Sequence, residues 1–139
     1  MNIFIMKHAK YIASLLVFFV GVTYGLFLWV LDDVCVNQIH KEYPSPENKV
    51  KAVVFKRDCG PSIGLATHIS ILFFDEKLEA QGGDVFVING APESVAPNLH
   101  WTNEYRLNVL HTLDGSEVKA ESEWGWTYPR VVTYHKHQK

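Results

Sequence analysis

Only two cysteines occur in 139 residues, Cys35 and Cys59. Both come after a long uncharged segment, and an even pair in that position reads as one disulfide formed in an oxidising compartment. The alternative is two unpaired thiols in a reducing one, because spacing does not fix a bond. Basic charge is scarce as well. Lys and Arg number 13 against 15 Asp and Glu, and Lys7 and Lys10 precede the uncharged segment, so the chain beyond that segment carries a net charge near −4. That sign excludes nucleic acid and anionic headgroups as the main partner of the outer part. Low-complexity tracts and internal linkers are missing, and the length leaves room for one folded domain.

The longest absence is of charge altogether. "YIASLLVFFVGVTYGLFLWVL", from Tyr11 to Leu31, runs 21 residues without one charge. At about 1.5 Å per residue it covers the roughly 30 Å hydrocarbon core of a bilayer. A cleaved signal peptide has an apolar region of only about 7 to 15 residues and a small-x-small site. A lipoprotein signal needs small uncharged residues where Leu31-Asp32-Asp33-Val34 stand. The segment therefore reads as a retained signal anchor, with 1–10 a cytoplasmic tail, 11–31 the span, 32–48 an extracytoplasmic linker and 49–139 a β-domain. Lys7 and Lys10 favour a cytoplasmic N-terminus, Lys41, Lys49 and Lys51 dilute that bias, and the cysteine pair decides for an outer domain. The expected location is the cytoplasmic (inner) membrane, single-pass, with the domain in the periplasm or outside. Gly21-Val22-Thr23-Tyr24-Gly25 is a G-x-x-x-G, which lets two helix backbones approach closely. It reads either as a homodimer contact through Gly21 and Gly25 or as lipid-facing glycine, common in spans of any kind.

Beyond Lys49 short apolar runs alternate with turn residues, and no helix is predicted. Val50–Asp58 reads as the first strand, after the turn Pro44-Ser45-Pro46-Glu47-Asn48. "THISILFFD" alternates, with Ile69, Ile71 and Phe73 on one face and His68, Ser70, Leu72 and Phe74 on the other. Gly82-Gly83 reads as a turn into "DVFVI", and a loop with Pro92 and Pro97 comes next. Then come a short strand ending at Trp101, a strand with Tyr105, Leu107 and Val109 on one face, and a hairpin signal at Asp114-Gly115 into Glu117–Glu121. Arg130–Tyr134 is the last strand. The fold class is mainly β: a single N-terminal transmembrane helix, then a small antiparallel sheet or sandwich-like domain of about six or seven strands.

"SPENKVKAVVF", with "RDCG" and "THISIL" after it, resembles an uncharacterised family of small membrane-associated bacterial proteins with a pattern like S-P-D-G-K, A-V-V-F, R-D-C-G and S-x-x-V-S-I. The resemblance covers about 44–72 and, more loosely, the Trp101 region. Glu47-Asn48 stand where the pattern has Asp-Gly. The resemblance implies a fold type and a compartment and carries over no catalytic residue. The same turn and strand look like one propeller element, but about 100 residues do not supply the four or more blades that closure needs.

Gly60-Pro61-Ser62-Ile63-Gly64 matches G-x-S-x-G. A nucleophile elbow joins a strand to a helix, whereas "THISILFF" predicts a strand here, so the match reads as a hairpin loop. Cys59 with His68 as its base lacks an orienting acid and an oxyanion hole. His135 and His137 share a face if the last strand continues, but zinc wants three or four ligands and His100 and His111 have no spacing to join them. No metal or cofactor is expected. In "EWGWTYP" an extended chain puts Trp124, Trp126 and Tyr128 on one face. The stripe either closes the core of a small sheet, the commoner use of aromatics, or forms an exposed platform for cell-wall sugar rings or a protein partner. These features predict a membrane-anchored binding domain for a protein or envelope polymer, with no catalysis; the alternative is a small envelope enzyme using Cys59 or Ser62.

Overall fold

The structure, a computed structural model, describes residues 2–32 and 35–136, with side chains for 8–27 and 35–136. It divides at Val34 into two units.

The first unit is the helix α1, Asn2–Asp32. It contains no proline, and within it His8–Phe27 form a 20-residue window of mean hydropathy 1.7, long and apolar enough to cross a membrane. Every side chain from His8 to Phe27 is exposed. Thr23 Oγ1 donates back to Phe19 O at 2.8 Å and to Val20 O at 3.0 Å, which gives its hydroxyl a partner without water. No side chain lies within 4 Å of where a Cβ would stand on Gly21 or Gly25.

The described residues of the second unit form nine strands, β1 Val36–Pro44, β2 Val50–Asp58, β3 Leu65–Phe73, β4 Phe86–Asn89, β5 Asn98–Asn103, β6 Arg106–Leu110, β7 Glu117–Ala120, β8 Glu123–Trp124 and β9 Arg130–Tyr134, with a one-turn helix α2 at Pro92–Val95. They form a five-stranded sheet in the order β1-β2-β3-β4-β7 and a four-stranded sheet in the order β5-β6-β9-β8. The pairing is antiparallel except between β6 and β9. Period-two alternation sets the core. Val50, Ala52 and Val54 of β2 lie level with Ile69 and Ile71 of β3, with Phe86 and Ile88 of β4 alongside, and they pack against Leu99, Trp101, Leu107, Val109 and Val132 of the second sheet.

The opposite face of the first sheet is buried too, at Val53, Phe55 and His68. The segment 77–83 is held against it. Asn37 Nδ2 donates to Glu79 O and Gln81 O, both at 2.8 Å, and Arg57 Nη1 donates to Ala80 O at 2.8 Å. Gly83 permits the contact: a Cβ there would fall 2.9 Å from His68 Cβ and 3.0 Å from Ile69 N and O. The pair Gly82-Gly83 thus serves a close approach over β3 more than a turn.

Two of the links between the sheets lie at Tyr43 and the turn that follows it. Trp101 Nε1 donates to Tyr43 O at 2.8 Å. In the Ser45–Lys49 turn, Ser45 Oγ donates to Glu104 Oε1 at 2.8 Å and accepts from Val50 N, while Glu47 N donates to Glu104 Oε2 at 3.0 Å. Asn48 has φ 55°, the left-handed region that glycine favours and asparagine tolerates. Asn48 therefore holds a backbone that glycine would adopt more readily.

The count of nine strands exceeds the predicted six or seven for local reasons. β1 occupies most of the stretch read as linker; it is an edge strand whose residues are nearly all exposed, so no apolar alternation marks it. β8 is two residues long. α2 corrects the expectation of no helix in the domain: Pro92 sits in its first turn, where a missing N–H costs nothing. The Asp114-Gly115 hairpin is also corrected. β6 and β7 belong to different sheets, and the intervening loop folds around the Glu117 carboxylate, which accepts from Asp114 N and Gly115 N and contacts His111 Nε2 at 2.6 Å.

Cys35 and Cys59 form a disulfide, Cα–Cα 4.1 Å. It lies one step beyond the Val36–Asp58 pair and closes the open end of the β1–β2 hairpin.

Candidate functional site

The G-x-S-x-G match is the loop between β2 and β3. Gly60 and Gly64 carry φ of 84° and 95°, Gly64 N donates to Gly60 O at 2.8 Å, and Asp58 pairs with Leu65 as the second strand begins. Ser62 is exposed at the tip of a strand–turn–strand unit, not on the strand–helix corner of an elbow. Cys59 is consumed by the disulfide. His68 lies under the 77–83 segment, stacked on Phe55 with ring centroids 5.4 Å apart, and its Nδ1 accepts from Gly83 N at 2.8 Å. Burial, and then the nearby charges of Arg57 and Lys119, lower its pKa to about 4. The ring is neutral, with Nδ1 occupied.

The other histidines disperse. His111 meets Glu117, and His135 Nε2 lies 3.1 Å from Asn108 Oδ1. β9 ends at Tyr134, so the strand does not extend to His135, and His137 lies outside the described residues. Among the described residues no three His, Cys, Asp or Glu side chains gather as a metal site would require.

The three aromatics of "EWGWTYP" come to one place by a route the alternation does not describe. Trp124 ends β8, Gly125 takes φ 91°, and 126–128 bend toward β9. An extended chain is needed for an i, i+2, i+4 stripe, and Gly125 breaks it, so the rings divide between two roles. Trp124 is half-buried against the core, whereas Trp126 is 103% exposed and Tyr128 71%. All three line an open groove of about 920 Å³ that also takes in Phe73, Asp84, Glu121 and Arg130.

The base of the groove is built around Trp124. Its Nε1 donates to Asp84 Oδ2 at 2.6 Å, its ring meets Phe73 edge-on at 6.0 Å, and the Arg130 guanidinium stands 5.5 Å from it and 5.8 Å from the Tyr105 ring. Asp84 Oδ1 accepts from Ile71 N at 3.1 Å. Burial pushes the Asp84 carboxyl pKa up, and the bonds from Trp124, Ile71 and Ser70 oppose that rise. A smaller cavity of about 220 Å³ lies where Phe73, Asp84 and Trp124 meet the 76–82 segment.

Sequence reasoning found the aromatics and missed Asp84, Phe73 and Arg130. Phe73 has the parity of a core residue but stands at the end of β3, 61% exposed. Asp84 and Arg130 carry no motif, and only long-range packing brings residues 40 positions apart into a hydrogen bond. Comparison of the chain with protein-family models, with curated proteins and with solved structures found no match.

Proposed function

We propose that α1 spans the cytoplasmic membrane with its N-terminus inside, and that the β-domain works on the far side as a binding module for a protein or an envelope polymer, without catalysis. The observation that carries this reading is Trp126: a large aromatic side chain, wholly exposed, that lines one groove with the exposed Tyr128 and the half-buried Trp124. Exposed Trp and Tyr are side chains that anchor interfaces. The disulfide supports an oxidising compartment, and Lys7 and Lys10 support the inward N-terminus. The turn at Asn48 supports kinship with the small membrane-associated proteins that share the S-P-D-G-K, A-V-V-F and R-D-C-G pattern. The open notch at Gly21 and Gly25 supports pairing of two anchors, a further part of the proposal.

The test is a photo-activatable residue at Tyr128 in the full chain, compared with one at Val36, in the cells that make it. Adducts that form at 128 and not at 36 are the expected outcome. Equal labelling, or none at 128, overturns the binding reading. The enzyme reading, through Ser62, predicts hydrolysis of a small ester that Ser62→Ala abolishes; the binding reading expects no such dependence.

A further inference from the structure

The groove sets charges of both signs beside its rings. Glu121, Glu123 and Asp84 line it as acids, Lys119 and Arg130 as bases. An anionic ligand meets three carboxylates. A purely apolar segment desolvates the exposed Glu121 and Glu123 and the half-buried Lys119 and pairs none of them, which costs free energy for each. A neutral polyol suits both signs, because a hydroxyl donates to a carboxylate and accepts from an ammonium, while the C–H face of a pyranose lies flat on an aromatic ring. The volume, about 920 Å³, falls within the roughly 300–1,000 Å³ range of ligand clefts.

The loop that carries the exposed rings is anchored at both ends. At one end Trp124 is bonded to Asp84. At the other, Arg130 Nε donates to Glu104 O at 3.3 Å and its guanidinium faces the Trp124 and Tyr105 rings. Trp126 and Tyr128 thus project from a braced base, and less ordering remains to be done on binding. Two successive aromatics suit successive sugars whose faces stay open, as they do along equatorially linked chains and not along coiled α-linked ones.

We infer that this groove binds a neutral polysaccharide of β-linked pyranoses, with Trp126 and Tyr128 stacking on sugar faces and Glu121, Glu123 and Lys119 bonding the hydroxyls. The inference rests on the reading of the domain as a binding module and names its ligand class. The full chain, held in a polyoxyethylene detergent that carries no sugar, is titrated with the β-1,4-linked hexamers of N-acetylglucosamine and of glucose and with α-linked maltohexaose, read by tryptophan fluorescence and calorimetry. One or both β-linked hexamers should bind. Trp126→Ala should weaken that binding at least tenfold at an unchanged melting temperature, Trp126→Phe should restore most of it, and maltohexaose should not bind. Absence of binding by both β-linked hexamers, equal binding of maltohexaose, or full affinity in Trp126→Ala overturns the inference. Adducts at position 128 that protease destroys, with no hexamer bound, leave the binding module standing and remove the sugar; no adduct and no hexamer removes both.

Discussion

His68 is buried on the covered face of the first sheet with Nδ1 occupied by Gly83 N. Its pKa in the fold, about 4, is below the 6.5 of a free imidazole. Between those values the unfolded chain binds more protons than the folded one, so the contribution of His68 is complete above pH 6.5 and is lost as the pH falls toward 4. Thermal melts from pH 7 to 4 should therefore show a falling midpoint, and His68→Asn, whose amide oxygen can accept from Gly83 N, should flatten that slope. An unchanged slope assigns the dependence to other groups. The tryptophans of the groove give a second contrast at this scale. Trp124→Ala removes a half-buried ring and a donor to Asp84 and should cost about 2–4 kcal/mol. Trp126→Ala should stay within about 0.5 kcal/mol of wild type. Chemical unfolding of the two variants checks both, and comparable losses would place Trp126 in the core after all.

The β1–β2 hairpin is held at both ends. At the turn, Asn48 adopts a φ of 55° that costs most side chains roughly 1–2 kcal/mol. Asn48→Ala should lose about 1 kcal/mol, and Asn48→Gly should be neutral or slightly stabilising; a penalty for Gly equal to that for Ala would show that the turn depends on the side chain of Asn48 and not on its backbone. At the open end, the disulfide spans a sequence separation of 24, for which chain entropy gives about 3.5 kcal/mol. Replacing both cysteines by serine should lower unfolding stability by about that amount, a large part of the roughly 5–15 kcal/mol of an ordinary domain. A loss below about 1 kcal/mol would mean that the hairpin is held by its ladder and by the Asn37 and Arg57 bonds to 79–81.

At the scale of the molecule, an apolar helix and a disulfide-bonded β-domain sit on one chain. Alkaline carbonate should leave the protein in the membrane pellet at full length, and release of a shortened chain would restore a cleaved leader. A reporter active only outside the cytoplasm should work after Lys139 and fail before Met1; the reverse would contradict the orientation proposed from Lys7, Lys10 and the cysteines.

Local patterns were enough for the apolar helix, for β2 at Val50–Asp58 and β9 at Arg130–Tyr134 with the predicted bounds, and for the cysteine pair. Charge content, period-two alternation and the parity of cysteines are properties of neighbouring residues or of bare counts, and they need no partner to be read. Long-range packing settled the rest. β1 carries few buried side chains and is a strand because β2 offers it a ladder; β7 leaves the hairpin it was expected to form because β4 has a free edge. The groove is of the same kind. Gly125 turns Trp126 away from Trp124, and Trp124 is fixed by a carboxylate 40 residues earlier in the chain. Whether an aromatic in such a segment is core or platform depends on how much apolar surface the rest of the fold leaves to cover it, and that quantity exists only once both sheets have closed on each other.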